Sequence, residues 1–136
     1  MAQYMLMCCQ PEVDAAEAAG EDEMPMLLEL HRNLREAGIL LDVQRLRSTE
    51  SATSVRVREG RTEITDGPFA VTKEFLAGYY LVECADLDEA VKVAASLTGA
   101  RHGTIEVRPL MPAEEWVQRA RDAGADVPDE AVNDLA

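Results

Sequence analysis

Two histidines are the residues of this 136-residue chain best suited to acid–base chemistry. An imidazole exchanges a proton near neutral pH, so one well-placed histidine can act as a general acid or base. His102 stands at the predicted start of a strand, where a side chain can reach the rim of a pocket. His31 falls on the inner stripe of a predicted helix, about 40° from Leu27. Each histidine is a catalytic candidate, with a hydrogen-bonded structural role as the alternative.

Asp66 and Lys73 place opposite charges around the turn Asp66-Gly67-Pro68-Phe69. A carboxylate beside glycine and proline at a strand end can be held at the mouth of a cavity, where it could pair with His102. Lys73 could attract an anionic ligand. The structural alternative is that Asp66 closes the turn and Phe69 fills the core.

Three further ligand-binding candidates lie on predicted strands. A period of two places Glu106 and Arg108 on one face of the last strand, opposite Ile105 and Val107. The same period of two places Tyr79 on one face of the preceding strand. Structural ion pairs are the alternative for Glu106 and Arg108.

These residues predict a reaction without a cofactor. His102 or His31 would move a proton, and Arg108 or Lys73 would stabilise an anionic intermediate, as in an isomerase, lyase or dechlorination-type reaction. The chain has no glycine-rich phosphate loop, no Ser/His/Asp ordering and no histidine cluster. We therefore expect neither a metal nor a cofactor, and we interpret Cys8, Cys9 and Cys84 as reduced thiols because no Cys-x-x-Cys spacing occurs.

The elements that must position these residues follow from apolar periodicity and turn signals. One domain is predicted over residues 1–112, and Glu12 to Gly20 is predicted to be a mobile loop within it. Residues 113–136 are predicted to form a short closing helix and an acidic tail. The predicted strands are Tyr4–Cys9, Ile39–Arg47, the hairpin Thr53–Arg58 with Arg61–Thr65, Gly78–Ala85 and Gly103–Leu110, and the helices are Asp22–Ala37 and Leu87–Leu97.

This order is that of a ferredoxin-like α+β fold with an extra hairpin. Two helices would cover one face of an antiparallel sheet and leave the other face open. The apolar positions of the open face need a cover, and a second copy of the chain is the simplest one. We therefore expect a homodimer with the two sheets facing each other.

The net charge of −13 is concentrated in two segments. Residues 12–23 hold six acids and no base, and residues 113–136 hold seven acids and two arginines. This acidity argues against direct nucleic-acid binding, which depends on Lys and Arg. Apolar runs are too short for a membrane span and no leader precedes Tyr4, so we expect a cytoplasmic protein without a membrane partner.

Two long motifs carry a resemblance to a known family. The first comprises residues 66–74, DGPFAVTKE, with Gly78-Tyr79-Tyr80-Leu81-Val82, and the second is ARHGTIEVRP at residues 100–109. Together with Tyr4-Met5-Leu6 they resemble the DGPF-motif branch of the YCII-related proteins over roughly residues 3–110. The resemblance implies a dimeric α/β-barrel.

The chain departs from that family at two positions. Val71 stands where a glutamate is usual, which removes a carboxylate from the motif. Leu27 stands where the YCII-related proteins carry their proposed catalytic histidine, so the histidine–aspartate mechanism suggested for them does not carry over. His31 lies one turn later and could substitute.

Three functions remain open from the sequence. The first is a homodimeric barrel that binds a small organic molecule, with the acid–base chemistry described above. The second is a regulatory partner, because proteins that resemble this one are often found beside, or fused to, alternative sigma factors of bacterial RNA polymerase. The third is a dimeric scaffold without a ligand.

Overall fold

The computed structural model describes residues 1–11, 23–70 and 72–135. The strands are β1 (Ala2–Gln10), β2 (Leu40–Arg45), β3 (Thr53–Arg58), β4 (Arg61–Asp66), β5 (Phe75–Cys84) and β6 (Thr104–Pro109). The helices are α1 (Glu23–Glu36), α2 (Leu87–Ser96), α3 (Gly99–His102), α4 (Ala113–Asp122) and α5 (Val132–Leu135), with 3-10 turns at Thr49–Ser51 and Asp129–Ala131.

Four strands form an antiparallel sheet in the order β2-β5-β1-β6. This order, with α1 following β1 and α2 following β5, is consistent with the predicted ferredoxin-like plan. Strands β3 and β4 form a separate two-stranded sheet inserted between β2 and β5. The α+β class and the extra hairpin are therefore confirmed.

The position of β1 explains its apolar sequence. It pairs with β5 on one side and β6 on the other, so both of its edges are hydrogen-bonded. Leu6 of β1 and Val82 of β5 face the helices and are fully buried. Met5 and Met7 alternate onto the opposite face, where they are partly exposed.

Helices α1 and α2 pack on the same face of the sheet. Leu34 of α1 and Val93 of α2 join the buried cluster formed by the sheet. Asp86 starts α2 by accepting a hydrogen bond from the backbone N–H of Glu89 at 2.9 Å, as its position before the helix predicts. Gly38, with φ of 76°, follows the end of α1 in a conformation that favours glycine.

The hairpin of β3 and β4 turns at two residues of positive φ, Glu59 at 52° and Gly60 at 74°. This is the backbone of a tight two-residue hairpin turn. The Asp-Gly-Pro-Phe turn follows, where Gly67 donates a backbone hydrogen bond to Ala52 and has φ of 94°. The prediction that Phe69 fills the core is wrong, because its side chain is 81% exposed on this chain.

The C-terminal segment forms more structure than a short helix and a fraying tail. Val117 of α4 is buried, and Trp116 is exposed and donates a hydrogen bond to the carbonyl of Met111. Arg121 donates hydrogen bonds to the carbonyl oxygen of Val127 and to the Asp129 carboxylate. These contacts hold the chain beyond α4 against that helix.

Several strand and helix boundaries differ from the predicted ones by a few residues. The difference is largest at β5, which begins at Phe75 rather than Gly78. The short helix α3 was not predicted. Asp22 at the predicted start of the first helix, the loop over residues 12–20 and the substitution at Val71 lie outside the described residues. Among the described residues no helix is long and apolar enough to cross a membrane.

Candidate functional site

A small cavity lies between the helix-covered face of the sheet and α1, and Gly78 of β5 lines it. In the register of the sheet Gly78 is flanked by Cys8 of β1 and Arg45 of β2. Because Gly78 has no side chain, the surface between these neighbours is left uncovered. A Cβ atom at this position would lie 2.5 Å from the carbonyl oxygen of Gln44, so the close strand packing also requires glycine.

The cavity has a volume of about 50 Å³. Leu27 of α1 and His102 of α3 enclose it from the helical layer. Its lining residues are Cys8, Gln10, Leu27, Val43, Gln44, Arg45, Ala77, Gly78, Tyr79, Tyr80, Thr98, Gly99 and His102.

A histidine–tyrosine pair adjoins this cavity. The Nε2 atom of His31, on α1, lies 2.6 Å from the hydroxyl oxygen of Tyr80, on β5. Their ring centroids are 5.1 Å apart in an edge-to-face arrangement. Tyr80 lines the cavity and is only 6% exposed, so His31 contacts a buried residue of the cavity wall.

The environment fixes the protonation of the pair at neutral pH. Burial, and then the positive charges of Arg45 and Arg35, lower the pKa of His31. Burial and the neighbouring Cys8 thiol raise the pKa of Tyr80 to about 12, although Arg45 acts in the opposite direction. A neutral imidazole therefore meets a protonated phenol, and in the tautomer that carries its proton on Nδ1 the Tyr80 hydroxyl donates to Nε2 of His31.

The electrostatic character of the cavity is the reverse of that of the whole chain. The chain has 26 acidic and 13 basic residues. Among the described residues that line the cavity, Arg45 and His102 are the basic groups and none is an aspartate or glutamate. A site lined this way favours an anionic group.

His102 connects two helices at the edge of the cavity. Its Nε2 atom lies 3.0 Å from a carboxylate oxygen of Glu23, the first residue of α1. Both side chains are about one third exposed, so the contact is that of a partly solvated ion pair or hydrogen bond. It links α3 to the start of α1.

The cysteine in the cavity is not activated as a nucleophile. Burial first, and then the adjacent Cys9, raise the pKa of Cys8 to about 11. A thiolate is the reactive form of cysteine, so Cys8 is a protonated thiol at neutral pH. The described residues also contain no group of three or more His, Cys, Asp and Glu side chains arranged to hold a metal ion.

The predicted site residues fall into separate regions. His102 lines the cavity, and His31 contacts the lining residue Tyr80. Tyr79 borders the cavity, but its hydroxyl lies on the open face of the sheet. Asp66 is the exposed last residue of β4, in the hairpin sheet, and no hydrogen bond or ion pair joins it to His102. The carboxylate beside His102 is that of Glu23. Lys73 is exposed in the loop before β5.

The remaining candidates lie on the open face of the sheet. Glu106 and Arg108 of β6 are exposed and lie opposite Met7 and Met5 of β1. The hydroxyl of Tyr79 donates a 3.1 Å hydrogen bond to Asp42 of β2, which raises the Tyr79 pKa. This face is distinct from the cavity under α1, as the period of two predicted.

Arg45 and Tyr80 are the site residues that the sequence analysis missed. Arg45 shares the helix-covered face with Val43 because they are two residues apart in β2. The sequence feature that could have identified Arg45 is a basic residue on the face that also carries Val43. The partner of His31 could not be found from spacing alone, because 49 positions separate it from Tyr80.

The fold and the two sequence motifs agree with the comparison with known proteins. The YCII-related domain matches residues 2–116, and the chain belongs to the YCII-related family. The chain is 45% identical over 112 residues to an uncharacterised protein of Rhizobium meliloti, covering 79% of this chain and 90% of that protein. That relative is named for no activity, so the function must be argued from the site.

Proposed function

We propose that this YCII-related protein binds a small organic anion in the cavity under α1 and uses the His31–Tyr80 pair as its acid–base group. The observation that carries the proposal is the 2.6 Å contact between His31 and Tyr80 beside a cavity lined by Arg45. A titratable pair, a cation and a concave surface at one place are the usual components of such a site.

Each component has a distinct chemical role. Arg45 attracts the anion and stabilises negative charge that develops on it during proton removal. Tyr80 accepts a proton from the ligand at its hydroxyl oxygen as it passes its own proton to Nε2 of His31. Return of the proton from His31 through Tyr80 to a different carbon of the ligand completes an isomerisation without a cofactor.

The position of Leu27 supports this location. Leu27 stands where the resemblance to YCII-related proteins puts their proposed catalytic histidine, and it lines the cavity. His31, one turn later on the same helix, is the histidine that contacts the cavity wall here. The site thus corresponds in place to the one suggested for the relatives while its proton-transferring groups differ.

We also propose that the protein works as a homodimer. On the open face Met5 pairs across the sheet with Leu81, and Met7 with Tyr79, so partly exposed apolar side chains occupy its centre. A surface of this kind usually marks an interface. Sedimentation should give twice the chain mass, and Leu81→Glu should give the chain mass.

Binding can be tested with acetate, butanoate and their uncharged methyl esters as probes. The acids should raise the melting temperature and the esters should not, since Arg45 selects the charge. Arg45→Gln should weaken acid binding at least tenfold. Arg47→Gln changes the net charge equally outside the cavity lining and should bind as the unmodified protein does. Equal binding by both variants would remove the proposal.

Proton transfer can be tested separately from binding. In deuterated water an acid–base site exchanges acidic hydrogens of a bound ligand with solvent, which mass spectrometry detects. The probes are acids with an activated α-hydrogen, such as acetoacetate. Tyr80→Phe and His31→Gln should each abolish exchange above the background, whereas Tyr79→Phe should retain it. Exchange that persists in Tyr80→Phe would exclude Tyr80 from the step.

A further inference from the structure

A second cavity lies beside the first, between α1 and the segment that joins α2 to α3. It has a volume of about 220 Å³, against about 50 Å³ for the first. Leu27 and Thr98 line both cavities, so the two are neighbours separated by these residues. The smaller cavity accommodates a group about the size of a carboxylate, and the larger one lies directly beyond it.

The second cavity has an apolar wall on its α1 side. Met26, Leu27 and Leu30 form its α1 side. Its charged members, Glu23 and Arg101, have opposite signs, so the cavity has no net charge to attract a second ionic group. Ser96 and Thr98 add polar groups to the lining, so a hydrocarbon chain would pack along the apolar α1 side.

We infer that the ligand of the proposed site is an amphipathic monocarboxylate, whose carboxylate lies near Arg45 and whose hydrocarbon chain passes Leu27 into the second cavity. The inference rests on the proposed function and specifies its substrate class. The observation that carries it is that a small cavity lined by Arg45 and a larger cavity with an apolar α1 side share two lining residues.

The contact between Glu23 and His102 bridges the two parts of this extended site. His102 lines the first cavity and Glu23 lines the second, and 3.0 Å separates their nearest atoms. The pair holds the start of α1 near α3, and thus keeps the two cavities side by side. It is a positioning contact, because neither group is required to touch the reacting atoms.

Chain length is the direct test. The dissociation constants of acetate, butanoate, hexanoate and octanoate should fall roughly fourfold for each methylene group buried, until the second cavity is filled. Calorimetric titration of the full chain measures these constants. Values that are the same for all four acids would overturn the inference.

A matched pair of variants locates the effect. Met26 lines the second cavity and is 66% exposed, whereas Leu28 is 60% exposed on the same helix and lines neither cavity. Met26→Glu should abolish the preference for long chains while acetate binds unchanged, and Leu28→Glu should leave the preference intact. Both sites are exposed, so both variants should fold. An unchanged preference in Met26→Glu would overturn the inference.

The two proposals fail in different ways. If Arg45→Gln binds every acid as well as the unmodified protein does, the proposed function fails. If Arg45→Gln weakens all the acids but chain length has no effect, the anion site stands and only its extension past Leu27 is wrong.

Discussion

The Nε2 atom of His31 and the hydroxyl of Tyr80 are 2.6 Å apart, and the contact joins α1 to the centre of the main sheet. Tyr80 lies on β5, next to β1 in the sheet, and its ring belongs to the buried cluster. The same contact therefore contributes to packing and presents an ionisable pair to the cavity. Both roles can be measured.

The stability of the protein should depend on pH through His31. Its pKa is lowered in the folded state, so the unfolded chain, with a value of about 6.5, binds the proton more readily. Stability should fall as the pH drops below about 6.5 and stop falling, for this group, below the folded pKa. Urea denaturation at several pH values measures the change. His31→Gln should remove this component and His102→Gln should keep it.

Removal of the Tyr80 hydroxyl should destabilise the protein more than removal of the Tyr79 hydroxyl. Tyr80→Phe leaves Nε2 of His31 without its partner in a partly buried place, at a cost of about 1–3 kcal/mol. Tyr79→Phe breaks the bond to Asp42 on the open face of the sheet and should cost less than about 1 kcal/mol. Denaturant midpoints with equal slopes give both values. Equal losses would contradict the burial of the His31–Tyr80 contact.

The thiols should react slowly in the folded protein. Burial raises the pKa of Cys8 to about 11 and also raises those of Cys9 and Cys84, and Cys84 has no exposed surface. At pH 8 a disulfide reagent should modify the native protein far more slowly than a free thiol. In denaturant the same reagent should modify all three cysteines. Rapid modification of Cys8 near pH 7 would show that it is an activated thiolate.

Two glycines near the cavity should respond differently to alanine. A Cβ atom at Gly103 would collide with the carbonyl oxygen of Cys9 and lie 2.9 Å from the Cα atom of Gln10. Gly103→Ala should therefore cost about 1–3 kcal/mol. A Cβ atom at Gly99 meets Cys8 no closer than 3.8 Å, so Gly99→Ala should be neutral or stabilising. A Gly103→Ala protein as stable as Gly99→Ala would argue against the close approach of β1 and β6 at this point.

The fold was largely predictable because the apolar patterns are regular. The strand predicted over Tyr4–Cys9 and the helix predicted over Leu87–Leu97 depend on neighbours in sequence, and both are present. Phe69 was misjudged because an aromatic residue beside a turn can face either the core or the surface, and sequence alone does not specify which. A position in the core requires neighbours from distant strands.

The candidate site was only partly predictable for a related reason. His31, Tyr79 and His102 stood out by residue type and position. Their partners did not, since Tyr80 meets His31 and Glu23 meets His102 only after β1, α1 and β5 have assembled. Asp66 was the predicted partner of His102 because it is the carboxylate of the Asp-Gly-Pro-Phe turn. The chain instead brings Glu23 to His102, because α1 begins beside α3.

The most direct test of the central claim is a nuclear magnetic resonance titration of the His31 imidazole with butanoate. The chain has two histidines, and the signal that is missing in His31→Gln identifies the His31 imidazole of the unmodified protein. The Nε2 resonance should shift and saturate as butanoate binds, and Arg45→Gln should abolish the shift. An Nε2 resonance that stays unchanged while butanoate binds elsewhere would contradict a ligand site beside the His31–Tyr80 pair.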